Sequence, residues 1–183
     1  LCTSTRIMRP PQYEVLEAAE ETELSAALAA YGAVCVGTAA ENGKLAAPQL
    51  PFETLAQLAD YVLVEADGAK RLPLKAHAPH EPVTPPNAQR VVMVVGADGF
   101  GRPIREVCHR PERYAALCGA PEDAAVTPEM EAAVLVAEGF GDRVYINKVE
   151  SAADFDNAAA LAGCLTCPVA AGSLQKGVYL CLR

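Results

Sequence analysis

The sequence predicts an α/β fold, a mainly parallel sheet flanked by helices. Three observations carry this. Short, almost uncharged apolar runs recur along the chain, helix-patterned segments stand between them, and Gly or Pro punctuates most junctions. With 183 residues, 51% hydrophobic and 21% charged, the chain is long enough for one domain with a real core. We expect a single α/β domain over residues 1–183. Of the apolar residues 35 are Ala, so the Val, Ile and Leu core set is smaller than the percentage implies.

The elements follow in order. Leu1-Cys2-Thr3-Ser4 reads as the end of a strand. Leu24, Ala27, Leu28 and Tyr31 stand at i, i+3, i+4 and i+7, predicting a helix over 23–31 with Thr22 as cap and Gly32 as stop. A strand is expected over 33–38, a helix over 52–58 after Pro51, and a buried strand over 61–65. Five prolines between Pro73 and Pro86 forbid regular structure, so 66–89 is expected as one long functional loop. Further strands are expected at 90–95 and 144–147, with short closing strands at Val169 and over 178–182. Helices are expected at 111–117, 128–137 and 153–162, the first two opened by Pro. Such an alternation predicts a sheet covered on both faces.

Composition excludes several classes. A net charge of −8 and the absence of Trp argue against a general nucleic-acid binder. No apolar run approaches 18 residues, so no membrane span is expected. Seven scattered cysteines without a signal peptide predict a reducing, cytoplasmic setting rather than a disulfide framework. Charge is uneven: residues 1–60 carry −5, 61–113 carry +2 and 114–183 carry −5. The middle third is therefore the candidate face for a small anion, although a solvated surface can produce the same asymmetry.

The most chemically suggestive stretch is Val62-Leu63-Val64-Glu65-Ala66-Asp67-Gly68. An apolar strand ending in two carboxylates and a glycine delivers them to the carboxyl edge of a parallel sheet, where ligands bind. Asp67 there is a candidate Mg²⁺ ligand and Gly68 a point of close phosphate approach. Asp-Gly is equally a common turn dipeptide. Lys70, Arg71, Lys75, His77 and His80 follow, cations suited to an anion with a bound metal. His77 and His80 lack a Cys at ligand spacing, and Cys164-Leu-Thr-Cys167 lacks a second pair, so no zinc is expected.

Asn147-Lys148-Val149-Glu150 resembles the Asn-Lys-x-Asp element of GTP-binding proteins, in which Asn reads guanine and the acid pairs its N1 and N2 groups. Glu150 is one methylene longer than Asp, which weakens guanine selectivity. A polar strand exit is the simpler alternative. Residues 37–45 are no phosphate-cradling loop, having five residues between the glycines and no Ser or Thr after Lys44. Gly96-Ala-Asp-Gly99-Phe-Gly101 reverses the dinucleotide-binding order.

Glu65-Ala-Asp-Gly68, Pro73-Leu-Lys75 and His80-Glu81-Pro82-Val83 together resemble the YqeC-type selenium-dependent hydroxylase accessory proteins. The likeness continues through Val94-Val95-Gly96, Gly101-Arg102-Pro103, His109-Arg110-Pro111, Val126-Thr127-Pro128-Glu129 and Asn147-Lys148. It implies a P-loop-NTPase-like fold and a role in maturing molybdenum hydroxylases that carry labile selenium. It further implies a hydroxylase or its molybdopterin cofactor as partner. Family members open with a Gly-Lys-Thr phosphate loop before the Thr-rich strand seen here as Thr3-Ser4-Thr5. That loop is not among these 183 residues, so they are not expected to hydrolyse ATP or GTP. In a complete form binding Mg²⁺ and ATP or GTP, Glu65 and Asp67 would sit near the metal or attacking water. Gly68 would lie near phosphate, and Lys75, His80 and Arg102 would contact the anion. All are expected to meet Asn147 and Lys148 at one sheet edge. The alternative is a non-catalytic adaptor that docks a hydroxylase or a selenium donor.

Overall fold

The computed structural model describes residues 1–139 and 141–183. Their backbone divides into two compact units, Leu1–Gly68 with His80–Ala88, and Ala69–Pro79 with Gln89–Arg183. Both are α/β, but their strands form four small, mostly parallel sheets rather than one.

The first unit runs β1 (Cys2–Thr3), β2 (Arg6–Met8), β3 (Glu14–Glu17), α1 (Glu21–Tyr31), β4 (Val34–Ala39), β5 (Lys44–Ala46), α2 (Phe52–Leu58) and β6 (Val64–Glu65). One sheet has the order β2-β5-β4-β3, and β1 pairs in parallel with β6. Helix α1 begins two residues before its expected start, which puts Thr22 inside the first turn rather than at the cap. Glu20 holds the cap position and makes no side-chain cap bond. Leu24, Val34, Val36 and Leu55 form the unit's main core.

The buried strand expected over 61–65 is corrected. Only Val64 and Glu65 are strand, and Tyr61 and Leu63 are 86% and 65% exposed. Val62 and Val64 pack on the core while their neighbours face outward, so the run is half-buried with period two. A run of consecutive apolar residues cannot by itself distinguish that from full burial.

The second unit runs β7 (Leu74–Lys75), β8 (Val92–Gly96), α3 (Ile104–Val107), β9 (Cys108–His109), α4 (Pro111–Cys118), α5 (Pro128–Glu138), β10 (Arg143–Asn147), α6 (Ala152–Cys164), β11 (Val169–Ser173) and β12 (Val178–Cys181). Its main sheet has the order β12-β11-β10-β8, with β8, β10 and β11 parallel and β12 antiparallel at the edge. The segment 66–89 is not wholly irregular, because β7 pairs in parallel with β9. Its prolines stand outside those two residues, at 73, 79, 82, 85 and 86, so they do not obstruct the pairing.

Two helices carry side-chain caps. Thr127 accepts from the Met130 amide ahead of Pro128, and Ser151 forms a capping box with Asp154. Val95, Val144, Ile146, Val169 and Ala171 pack in one cluster with residues of α4, α5 and α6, including Tyr114, Val134 and Leu161. The opposite face is not covered as expected. Val94 and Tyr179 are 62% and 63% exposed, and in register Val94 lies beside Tyr145, Ala170 and Cys181. The apolar residues alternate inward and outward, and only the inward set meets helices.

Two glycines permit close approaches. A Cβ on Gly96 would lie 2.7 Å from the Pro73 Cβ and 2.6 Å from an Asp98 oxygen. One on Gly172 would lie 1.9 Å from the Val178 carbonyl, blocking the β11–β12 pairing. No helix among the described residues is long and apolar enough to cross a membrane.

Candidate functional site

The second unit gathers its polar side chains where three parallel strands end. The turn Ala97–Gly99 follows β8, Asn147 ends β10 with Lys148 next, and Ser173 ends β11. Chain direction alone brings these exits to one edge, since the strands are adjacent and parallel. Between them lies a cleft of about 380 Å³ lined by Asp98, Asn147, Lys148, Glu150, Asp154 and Ser173. That volume is in the range of small-molecule sites, roughly 300–1,000 Å³.

The cleft walls are tied across strands. Lys148 Nζ donates to Asp98 Oδ2 at 2.7 Å, joining the exits of β10 and β8. Glu150 Oε1 accepts from Ser173 Oγ at 2.8 Å, and its Oε2 pairs with Lys176 at 2.9 Å, joining β10 to β11. The Lys176 and Ser173 hydrogen bonds hold Glu150 below the usual carboxylate range. Asn147 Oδ1 accepts from the Leu174 amide at 3.1 Å, which leaves its Nδ2 as a donor. Asp154 spends its carboxylate on the capping box and on the Glu150 amide. Lys148 sits at φ 63°, the left-handed region that a side chain occupies at a cost of about 1–3 kcal/mol.

Of the residues the sequence singled out, Asn147 and Lys148 meet here. Arg102 belongs to the same unit but pairs with Glu106 at 3.7 Å on the exposed surface of α3's first turn. Lys75 lies in β7, in register with His109. Neither lines the cleft. Glu150, the acid of the same run, lines it too, with Asp98, Asp154, Ser173 and Gln175. Ser173 and Asp98 each stand just past an apolar run, at 169–172 and 91–97, a signal that could have found them.

Glu65, Asp67, Gly68 and His80 belong to the first unit. There the Thr-rich start contacts the carboxylate strand: the Thr3 hydroxyl donates to the Glu65 carbonyl at 2.7 Å, and the Thr5 amide donates to Thr3 Oγ1. The Ser4 hydroxyl donates to the Val83 carbonyl, and the Val83 amide donates to the Ala66 carbonyl at 2.9 Å. Protein atoms crowding its carboxyl, and secondly the Asp67 charge, raise the pKa of Glu65, although the residue as a whole stays exposed. His80 is exposed, one residue before the cis Glu81–Pro82 bond.

Elsewhere in the second unit lies a deep polar cluster. His77 is tied to Glu138 twice, through its amide and through Nδ1, each at 2.6 Å. The Tyr114 hydroxyl donates to Glu131 Oε2 at 2.6 Å. Burial, opposed by that hydrogen bond, pushes Glu131 up to about 7.

Comparison with known proteins agrees with the sequence resemblance. A curated Escherichia coli (strain K12) relative, "Uncharacterized protein YqeC", is 38% identical over 66 residues, 36% of this chain. The matched stretch spans 26% of that relative's length, so about a quarter of it is represented. No solved structure matches the chain. The family described as "YqeC protein" matches residues 1–112, which take in the whole first unit and the second as far as the start of α4. The chain belongs to the YqeC protein family.

Proposed function

We propose that this chain binds a nucleotide or another phosphate-bearing ligand, using the carboxyl edge of the β8-β10-β11 sheet. Its role would be that of an accessory protein for selenium-dependent molybdenum hydroxylases, on a P-loop-NTPase-like fold. The observation that carries the reading is the cleft at three adjacent strand exits, with Asn147, Lys148 and Glu150 held in fixed orientation by cross-strand bonds. Glu65 and Asp67 of the first unit are hard oxygen donors. Burial first, and the Asp67 charge second, raise the Glu65 pKa, and a divalent cation would favour both ionised forms. Mg²⁺ fits oxygen donors of this kind.

Thermal unfolding with ATP, GTP and tripolyphosphate, each with and without Mg²⁺, tests the reading. A ligand at about 100 Kd should add roughly 2.7 kcal/mol to stability, and Asn147→Ala should reduce the shift. No shift with any of them overturns it. The second reading is the adaptor, favoured by the open sheet face with Val92, Val94 and Tyr179 exposed. Co-purification of a molybdenum hydroxylase, lost in Val94→Glu, would support that reading.

A further inference from the structure

The order of the second unit's main sheet ends at β12, and among the described residues no strand bonds its outer edge. Val178, Tyr179, Leu180 and Cys181 are all exposed, Tyr179 by 63% and Leu180 by 41%. Charged side chains or Pro within an edge strand are the usual protection against pairing, and β12 carries neither. The other edge of the sheet differs, because the Gly96 amide of β8 donates to the Pro73 carbonyl.

The register decides which backbone groups of β12 face outward. The Leu182 amide donates to the Val169 carbonyl at 2.9 Å, and bonded pairs alternate along an antiparallel ladder. Leu180–Ala171 and Val178–Ser173 are therefore the other inward pairs, and Tyr179 and Cys181 turn their N–H and C=O groups outward. The Arg183 amide also reaches the Val169 carbonyl, a bulge that ends the regular edge. Tyr179 and Cys181 form a self-complementary set. With a twofold axis at Leu180, Tyr179 of one copy meets Cys181 of the other, and every outward N–H finds a carbonyl. An axis at Tyr179 or Cys181 pairs that residue with itself and leaves the other opposite Gly177 or Arg183, outside the strand.

We propose that β12 is a homodimer interface, pairing antiparallel with β12 of a second copy about a twofold axis at Leu180. Leu180 is in register with Ala171 and Ile146, both fully buried, and stays exposed because no strand follows it. A second Leu180 supplies that neighbour. Charge agrees with a second copy. The chain carries −8, so much of its surface repels its own kind, whereas β12 is uncharged. Lys176 is paired with Glu150, and Arg183 falls opposite Gly177, so no like charges oppose. Two four-residue edges bury far less than the roughly 1,200–2,000 Å² of a stable interface, so the dimer is weak and concentration-dependent.

The test is sedimentation of the 183-residue chain in reducing buffer from about 1 μM to about 1 mM, with amide exchange followed by NMR. Mass should rise from 19.2 kDa to a plateau at twice that value. Exchange at the Tyr179 and Cys181 amides should slow as the dimer forms, and at the Leu180 amide, which faces Ala171, it should change less. Tyr179→Pro removes an outward amide that β11 does not use, and Leu180→Lys sets two ammonium groups face to face. Each variant should keep the monomer mass throughout. A parent chain that is monomeric at every concentration overturns the inference. So does a dimer that either variant still forms, or one that leaves exchange at Tyr179 and Cys181 unchanged, because another surface then holds it. Growth past the dimer without a plateau overturns it as well, since that marks head-to-tail pairing of unlike surfaces.

Discussion

The second unit holds two sets of contacts in which a side chain donates to a carboxylate, and they differ in almost every consequence. His77–Glu138 and Tyr114–Glu131 lie inside, with the His77 and Glu138 side chains 5% and 3% exposed. Lys148–Asp98 and Lys176–Glu150 lie at the sheet edge, where water screens them. An inner contact that loses its partner leaves a polar group with nothing to replace it. A rim contact that loses its partner is solvated at once. The inner set therefore belongs to stability and the rim set to recognition, and each variant below tests that division.

The largest expected effect is on the inner set. His77→Ala removes the Nδ1 partner of Glu138 while the residue 77 amide still donates to the other oxygen. The variant should lose about 3 kcal/mol of unfolding free energy in urea, since a buried carboxyl keeps only part of its hydrogen bonding. A loss below about 1 kcal/mol would break the division.

Next is the pH dependence of the inner acid. Burial raises Glu131 to about 7 from an ordinary 4.5, against the Tyr114 hydrogen bond, with the Glu138 charge adding and His77 opposing. Cys108 also couples to it. Between those values the folded state holds a proton that the unfolded state has released. Stability from this group is complete below about 4.5 and is lost as pH rises through about 7. The loss should reach about 3 kcal/mol, because one pKa unit corresponds to about 1.4 kcal/mol. Glu131→Gln should flatten that part of the stability–pH curve in denaturant titrations from about pH 4 to about pH 8.

The rim was partly legible in the sequence and the inner set was not. Asn147 and Lys148 could be found because, with Glu150, they resemble the Asn-Lys-x-Asp element. Ser173 belongs to no such motif, and its run over 169–173 is mostly small residues and reads weakly as a strand. Glu131 was hidden because an acid at the fourth position of a helix reads as ordinary first-turn chemistry. Its burial depends on Tyr114, 17 residues away, and no local pattern reports such a pairing. Helices at 52–58, 111–117 and 128–137 were legible within a residue because Pro marks their starts. Strand character at β1 and β6 was legible but their pairing was not, and β7 and β9 were not legible at all, being two residues long and set by distant partners.

The smallest expected effect on stability comes from Asp98→Asn, and it sharpens the comparison most. The Lys148 and Asp98 side chains are 51% and 43% exposed, so breaking their bond should cost less than about 1 kcal/mol. Added salt should shrink even that. Recognition should change more. A neutral amide at position 98 cannot balance the Lys148 charge, so the ammonium is released at the cleft wall and the local charge rises by one. Tripolyphosphate affinity should increase, and the increase should disappear at high ionic strength. The thermal shift with nucleotide should persist, because Asn147 keeps the Leu174 amide and Glu150 keeps both Ser173 and Lys176. If that shift falls together with the Lys148–Asp98 bond, then Lys148 rather than Asn147 and Glu150 carries the binding. The ammonium at φ 63° would then be the binding group and the carboxylate only its support.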